Sequence, residues 1–159
     1  MVRWKYGPFP ASPDFDFSAI TSWGIVAVLW FDGARMPAIF YVDDNGDDLF
    51  YADYVRKKQK IEVTLRCFER AEHALEALEM LHAKGEKLPD VLIADLYMPL
   101  DSGLELIMGL RSDPRFSPIR LGVCTGSDAD EDRRRALAAG ADFYVEKPID
   151  LSAVLAQLV

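Results

Sequence analysis

Val91-Leu-Ile-Ala-Asp-Leu-Tyr-Met-Pro99 is the stretch that decides the reading of this chain. Its apolar run, Val91 to Ala94, is short and bracketed by Pro89 and Pro99, as expected of a strand covered on both faces. The run ends on a carboxylate, Asp95. In an open parallel α/β sheet, ligands bind outside the carboxyl ends of the strands, so an acid at that last position points into a site. A strand-terminal Asp also caps loops, and the residues that gather around it decide between the two meanings.

Strand and helix alternate outward from this segment in both directions. Towards the N-terminus, Ala38 to Val42 predicts a first strand, and the acidic turn Asp43 to Asp48 leads into a helix of roughly Asp47 to Lys58. Ile61 to Cys67 predicts a second strand, whose alternation suits a position nearer the sheet edge. Ala71, Ala74, Leu75, Leu78 and Leu81 recur at helical spacing, with Gly85 as the C-terminal stop. Beyond the central strand, Ser102-Gly-Leu-Glu105 is a capping box for a helix running through Arg111. Pro114 and Pro118 frame a loop to a fourth strand, Ile119 to Cys124, and a short helix of about Ala129 to Ala139 ends at Gly140. Phe143 to Val145 is the fifth strand, and Asp150 caps a last helix with the apolar stripe Leu151, Val154, Leu155 and Leu158. Five βα units of this rhythm imply an α/β fold, a doubly wound five-stranded parallel sheet with helices on both faces.

Composition narrows the function classes. At 159 residues, 50% hydrophobic and 28% charged, the chain reads as one soluble globular domain. Its net charge of -8 argues against a nucleic-acid partner, which needs clustered Lys and Arg. The basic cluster Arg133 to Arg135 follows Asp128, Asp130, Glu131 and Asp132 and reads as a solvated helix face. Cys67 and Cys124 lie in apolar runs without CxxC spacing, so two buried reduced thiols and a cytoplasmic setting are expected. Residues 1–35 differ from the rest: they hold all three tryptophans, Pro8, Pro10 and Pro13, and an uncharged run from Phe17 to Phe31. That run is shorter than the roughly 18 to 20 apolar residues of a membrane span. Arg3 and Lys5 precede it as in a signal peptide, but Asp14 and Asp16 lie before it and the cysteines do not follow a secreted pattern. Residues 1–35 are therefore expected to be an extension upstream of a natural start at Met36, with the core in 36–159.

The polar residues now fall into one pattern. Asp43 and Asp44 end strand one, Asp95 ends strand three, Thr125 follows strand four and Lys147 follows strand five, so all five are expected at one sheet edge. Three carboxylates this close repel one another unless a cation neutralises them, and oxygen donors in an open, water-retaining site suit Mg²⁺. Lys147 adds a point charge, Thr125 a hydroxyl and Gly126 an open backbone amide. Together they describe a receptacle for a phosphoryl group attached to Asp95.

Residues 36–159 resemble the receiver domain of two-component response regulators, a flavodoxin-like fold. The matching pieces are Tyr41-Val-Asp-Asp-Asn45, Asp95-Leu-Tyr-Met-Pro99 with Gly103, Cys124-Thr-Gly-Ser127 and Ala139-Gly-Ala-Asp-Phe-Tyr-Val-Glu-Lys-Pro148. The resemblance implies that Asp95 accepts phosphate from a phosphohistidine on a sensor histidine kinase or a histidine phosphotransfer protein. It implies that Asp43, Asp44, Asp95 and the backbone carbonyl of Tyr97 hold Mg²⁺, and that Thr125 and Lys147 bind the acyl phosphate. Tyr144 matches the aromatic that rotates on phosphorylation, and Tyr97 stands at a position that varies among such proteins and affects dephosphorylation.

Rival readings fail on spacing. With Asp43 as position 1 of an EF-hand loop, position 6 is Asp48 rather than Gly and position 12 is Tyr54 rather than Glu. A dehalogenase-type phosphohydrolase needs an acid two residues beyond its nucleophile, where this chain has Tyr97. Cys124 has no Arg six residues later, so a cysteine phosphatase loop is absent. His73 and His82 lie nine apart on one helix, off a common face, and read as solvated or partly packed. The expectation is thus a stand-alone receiver that turns over no external substrate and signals to a downstream protein through the last two helices and strand five. A small Mg²⁺-dependent phosphohydrolase is the second reading, and the sequence leaves a homodimer open.

Overall fold

The computed structural model describes residues 36–99 and 102–159, and the expectations placed on residues 1–35 lie outside them. Five parallel strands, β1 Ala38–Val42, β2 Thr64–Phe68, β3 Val91–Asp95, β4 Arg120–Thr125 and β5 Phe143–Glu146, form one sheet in the order β2-β1-β3-β4-β5. β3 is the central strand, and all five of its residues are buried. Alternation explains how: Val91 and Ile93 pack into one core, Leu92 and Ala94 into the other. Helices α1 Gly46–Lys58 and α5 Leu151–Ala156 cover the first face through Leu49, Ala52, Leu151 and Val154. Helices α2 Ala71–Ala83, α3 Gly103–Ser112 and α4 Asp130–Ala138 cover the second through Leu78, Ile107, Leu110 and Ala136. Among the described residues no helix is long and apolar enough to cross a membrane.

Local chemistry sets the element ends. Asn45 caps α1 by accepting from Asp47 N, Ser102 caps α3 by accepting from Glu105 N, and Asp150 caps α5 by accepting from Ser152 N and Ala153 N. α2 and α4 stop before Gly85 and Gly140, whose φ of 66° and 106° turn the chain out of the helix. The second strand starts later than its apolar pattern suggested, at Thr64 instead of Ile61. Ile61 N donates to Arg56 O and Val63 N to Ile61 O, so these residues close the end of α1, and the ladder begins where Thr64 N donates to Pro37 O. The fourth strand likewise runs on to Thr125, because Thr125 O accepts from Lys147 N and extends the pairing with β5. β2 lies at the sheet edge, as its alternation indicated. That edge position exposes Cys67, which the sequence had suggested was buried; Cys124, on β4, is buried as expected, and both are free thiols.

Candidate functional site

Four strand ends converge on one side of the sheet, and each delivers polar groups there. Asp43 directly follows β1, with its backbone N–H donating to Phe68 O, and its side chain is fully buried. Burial of a carboxylate demands hydrogen bonds. Asp43 accepts from the Tyr41 hydroxyl at 2.8 Å and from Asn45 N at 2.9 Å. Tyr41 is itself buried, and burial together with nearby Cys124 and Asp43 raises its pKa, so the phenol stays a proton donor. Asp95, the last residue of β3, is 5% exposed and accepts from Tyr97 N at 3.4 Å. Carboxylate oxygens of Asp43, Asp44 and Asp95 lie within 4.8 Å of one another.

Lys147 answers that negative charge. Its Nζ lies 2.7 Å from Asp43 Oδ2 and 3.4 Å from Asp95 Oδ2. It is also 2.7 Å from Asp48 Oδ2, a contact the sequence reading missed. Burial alone would lower the lysine pKa, but hydrogen bonds to Asp43 and Asp48 outweigh it and raise the value, so the side chain is an ammonium. The Asp95 carboxyl is pushed up, first by burial and then by the Asp43 charge, with Lys147 opposing both. Four carboxylates thus face one ammonium, counting Asp48 with the triplet. The centre remains an attractor of cations even with Lys147 in place.

An open pocket of about 460 Å³ leads to these groups, lined by Asp44, Asn45, Asp95, Tyr97, Pro99, Thr125, Gly126, Ser127 and Lys147. Thr125, the last residue of β4, is 1% exposed and accepts from Ser127 N at 3.2 Å, which shapes the loop beneath the pocket. Gly103 opens α3 directly against the acceptor strand. A Cβ there would stand 1.9 Å from Asp95 O, so a residue with any side chain would push helix and strand apart. Tyr97 leaves the strand end, pairs with Ser102 in an isolated antiparallel bridge, and its hydroxyl donates to Asp132 on α4 at 2.6 Å. The position two beyond Asp95 therefore carries a phenol bonded to α4 and no acid, which leaves the phosphohydrolase reading without its second carboxylate. Tyr144, on β5, donates its hydroxyl to Ser127 O. All the residues expected at the sheet edge meet there, and Tyr144 reaches the loop that follows Thr125.

Oxygen donors alone form the acidic triplet, and hard divalent cations prefer such a set. The residues present therefore fit a divalent ion. Fold and site define a doubly wound α/β domain with an acidic, lysine-bearing centre at the carboxyl ends of its strands. Residues 39–159 match the model of the response regulator receiver domain. The chain belongs to that family, whose members act as phosphoacceptors in two-component signalling. It is 37% identical over 89 residues to the virulence transcriptional regulatory protein PhoP of Shigella flexneri, a match covering 56% of this chain and 39% of that protein. The chain thus spans well under two thirds of the length of PhoP. Among solved structures it resembles a response regulator from Burkholderia pseudomallei that holds a phosphorylated aspartic acid, a calcium ion and citrate. That likeness has 27% identity and a TM-score of 0.59 and covers 77% of this chain and 66% of that one. The chemotaxis response regulator CheY4 of Vibrio cholerae shares the fold at 20% identity, with a TM-score of 0.64, covering 79% of this chain and all of that one, 100%.

Proposed function

We propose that Asp95 is the phosphoacceptor of this receiver. The observation that carries the reading is the contact set of Lys147, whose ammonium bridges the acceptor and Asp43 beside an open pocket edged by Thr125 and Gly126. Asp43, Asp44, Asp95 and the backbone carbonyl of Tyr97 would hold Mg²⁺. Bound there, the ion supplies charge neutralisation for the phosphoryl oxygens.

The chain's own groups account for the rest. A carboxylate oxygen of Asp95 attacks phosphorus in line; the P–O bond forms as the bond from phosphorus to the donor imidazole nitrogen breaks, and the electron pair leaves on that nitrogen. Such transfer needs positioning and neutralised charge more than covalent help. Lys147 offers its ammonium and Thr125 its hydroxyl proton to the phosphoryl oxygens, while the Gly126 amide lies open beside them. Tyr144, bonded to the loop after Thr125, would sense the change and alter the surface of α4, β5 and α5. The phosphodonor would be a sensor histidine kinase or histidine phosphotransfer protein, and the recipient of the signal a protein docking on that surface. No turnover of an external substrate is expected.

The test is incubation with acetyl phosphate and Mg²⁺. The protein should gain one phosphoryl group that alkali or hydroxylamine removes, and Asp95→Asn should gain none while staying folded. Labelling of Asp95→Asn at the wild-type rate and stoichiometry would overturn the assignment.

A further inference from the structure

Asp48, in the acidic run after β1, belongs to neither the metal triplet nor the acceptor, yet it contacts Lys147. Asp48 lies in the first turn of α1, where the unpaired amides of a helix start favour negative charge. Its Oδ2 is 2.7 Å from Lys147 Nζ, and its side chain is 30% exposed. Lys147 is held equally close to Asp43, at 2.7 Å, and makes its longest contact of the three with Asp95, at 3.4 Å. The ammonium is thus held most closely by Asp43 at the end of β1 and Asp48 on α1, while still reaching the acceptor at 3.4 Å.

An ammonium has three protons to donate. Two of them are engaged at 2.7 Å, by Asp43 and Asp48, so drawing the ammonium closer onto a phosphoryl group at Asp95 works against those two contacts. Asp43 is the costlier partner to leave, because it is fully buried and water cannot replace the ammonium there. Asp48 is partly exposed, so water can take the place of the ammonium there, and its bond is the one released. We propose that Asp48 is the resting counter-anion of Lys147: it competes with the phosphoryl group for the ammonium and so weakens the hold of the site on phosphate. The inference rests on the reading of Asp95 as acceptor. It makes Asp48 a positioning residue for Lys147, acting through the lysine and touching no reacting atom.

Beryllium fluoride, a phosphoryl mimic, separates the two ideas when titrated at saturating Mg²⁺ into the wild type, Asp48→Asn, Asp48→Ala and Asp47→Asn. Asp47 carries the same charge in the same helical turn and is exposed, so its variant measures the plain effect of removing one negative charge. The alanine variant covers the case in which the asparagine oxygen keeps the bond to Lys147. At least one Asp48 variant should bind the mimic about three- to five-fold more tightly than wild type, the scale of a partly exposed ion pair, and Asp47→Asn should change affinity less than about two-fold. Equal changes at positions 47 and 48, or weaker binding by both Asp48 variants, would overturn the proposal while leaving Asp95 as acceptor. Failure of the wild type to bind the mimic would remove the acceptor reading, and this inference with it.

Discussion

The phenol of Tyr97 donates to the buried carboxylate of Asp132 at 2.6 Å and so fastens the turn after the acceptor strand to the first turn of α4. Asp132 has Arg135 at 3.5 Å as its ion-pair partner on the same helix. The bond from Tyr97, then one from Ser127, hold its carboxyl below the usual range.

Tyr97→Phe tests that fastening through pH. A depressed carboxylate stabilises the fold above its unfolded pKa of about 3.9, and the contribution disappears as pH falls through the lower folded value. The variant should therefore melt below wild type at neutral pH, and the gap should narrow as the pH drops below about 4. Thermal unfolding followed by circular dichroism at several pH values measures it. A gap that stays constant with pH would mean that the hydroxyl contributes through something other than its bond to the ionised Asp132 carboxylate.

Asp95→Asn should raise the melting temperature in metal-free buffer, by about 2 to 5 °C. Burial and the Asp43 charge raise the Asp95 pKa, so its ionised form opposes folding at neutral pH. Here the sign is the reverse of Asp132: the cost is full above the folded pKa and vanishes below the unfolded value of about 3.9. The gain from Asn should accordingly be present at pH 7 and absent at acid pH, which melts at both conditions would reveal.

Gly103→Ala should cost about 2 to 3 kcal/mol or more, since a Cβ cannot stand 1.9 Å from Asp95 O without moving helix or strand. Urea unfolding gives the loss. Because the displaced atom belongs to the acceptor residue, amide NMR shifts should concentrate at the ends of β3 and β4.

Asp142→Ala should destabilise by about 1 to 3 kcal/mol. Asp142 Oδ2 accepts from the buried Leu121 N at 2.8 Å and from Arg111 at 2.7 Å. Removing it strands a backbone donor at the start of β4. Asp142→Asn, which keeps an acceptor oxygen, should recover most of the loss in the same urea experiment.

Runs of apolar residues and the groups directly beyond them were readable in the sequence, because strand period and strand end are local properties. Asp43, Asp44, Asp95, Thr125 and Lys147 came together on paper for that reason. Asp48 did not, since it lies in the first turn of α1 rather than at a strand end, and nothing in the run Asp43 to Asp48 marks it out as the partner of Lys147. The same holds for Tyr97 with Asp132, 35 residues apart, whose pairing depends on where α4 packs over the sheet. Tyr41 could have been suspected, for a polar-tipped aromatic in a buried strand needs a partner, and the acid two residues on lies on the same side. The late start of β2 escaped because Ile61 and Val63 are as apolar as strand residues but close a helix end instead.

The strand order divides the centre between an earlier and a later part of the described chain. β2, β1 and β3 come from the first part of the described chain, so the three clustered carboxylates can meet once residues up to Asp95 have paired. Thr125 and Lys147 come only with β4, which pairs along the free edge of β3, and β5, which pairs with β4. A half-formed sheet would therefore concentrate negative charge without the lysine that offsets it. Docking of the C-terminal strands relieves that repulsion, and the cluster that serves chemistry in the finished domain rewards the completion of the sheet.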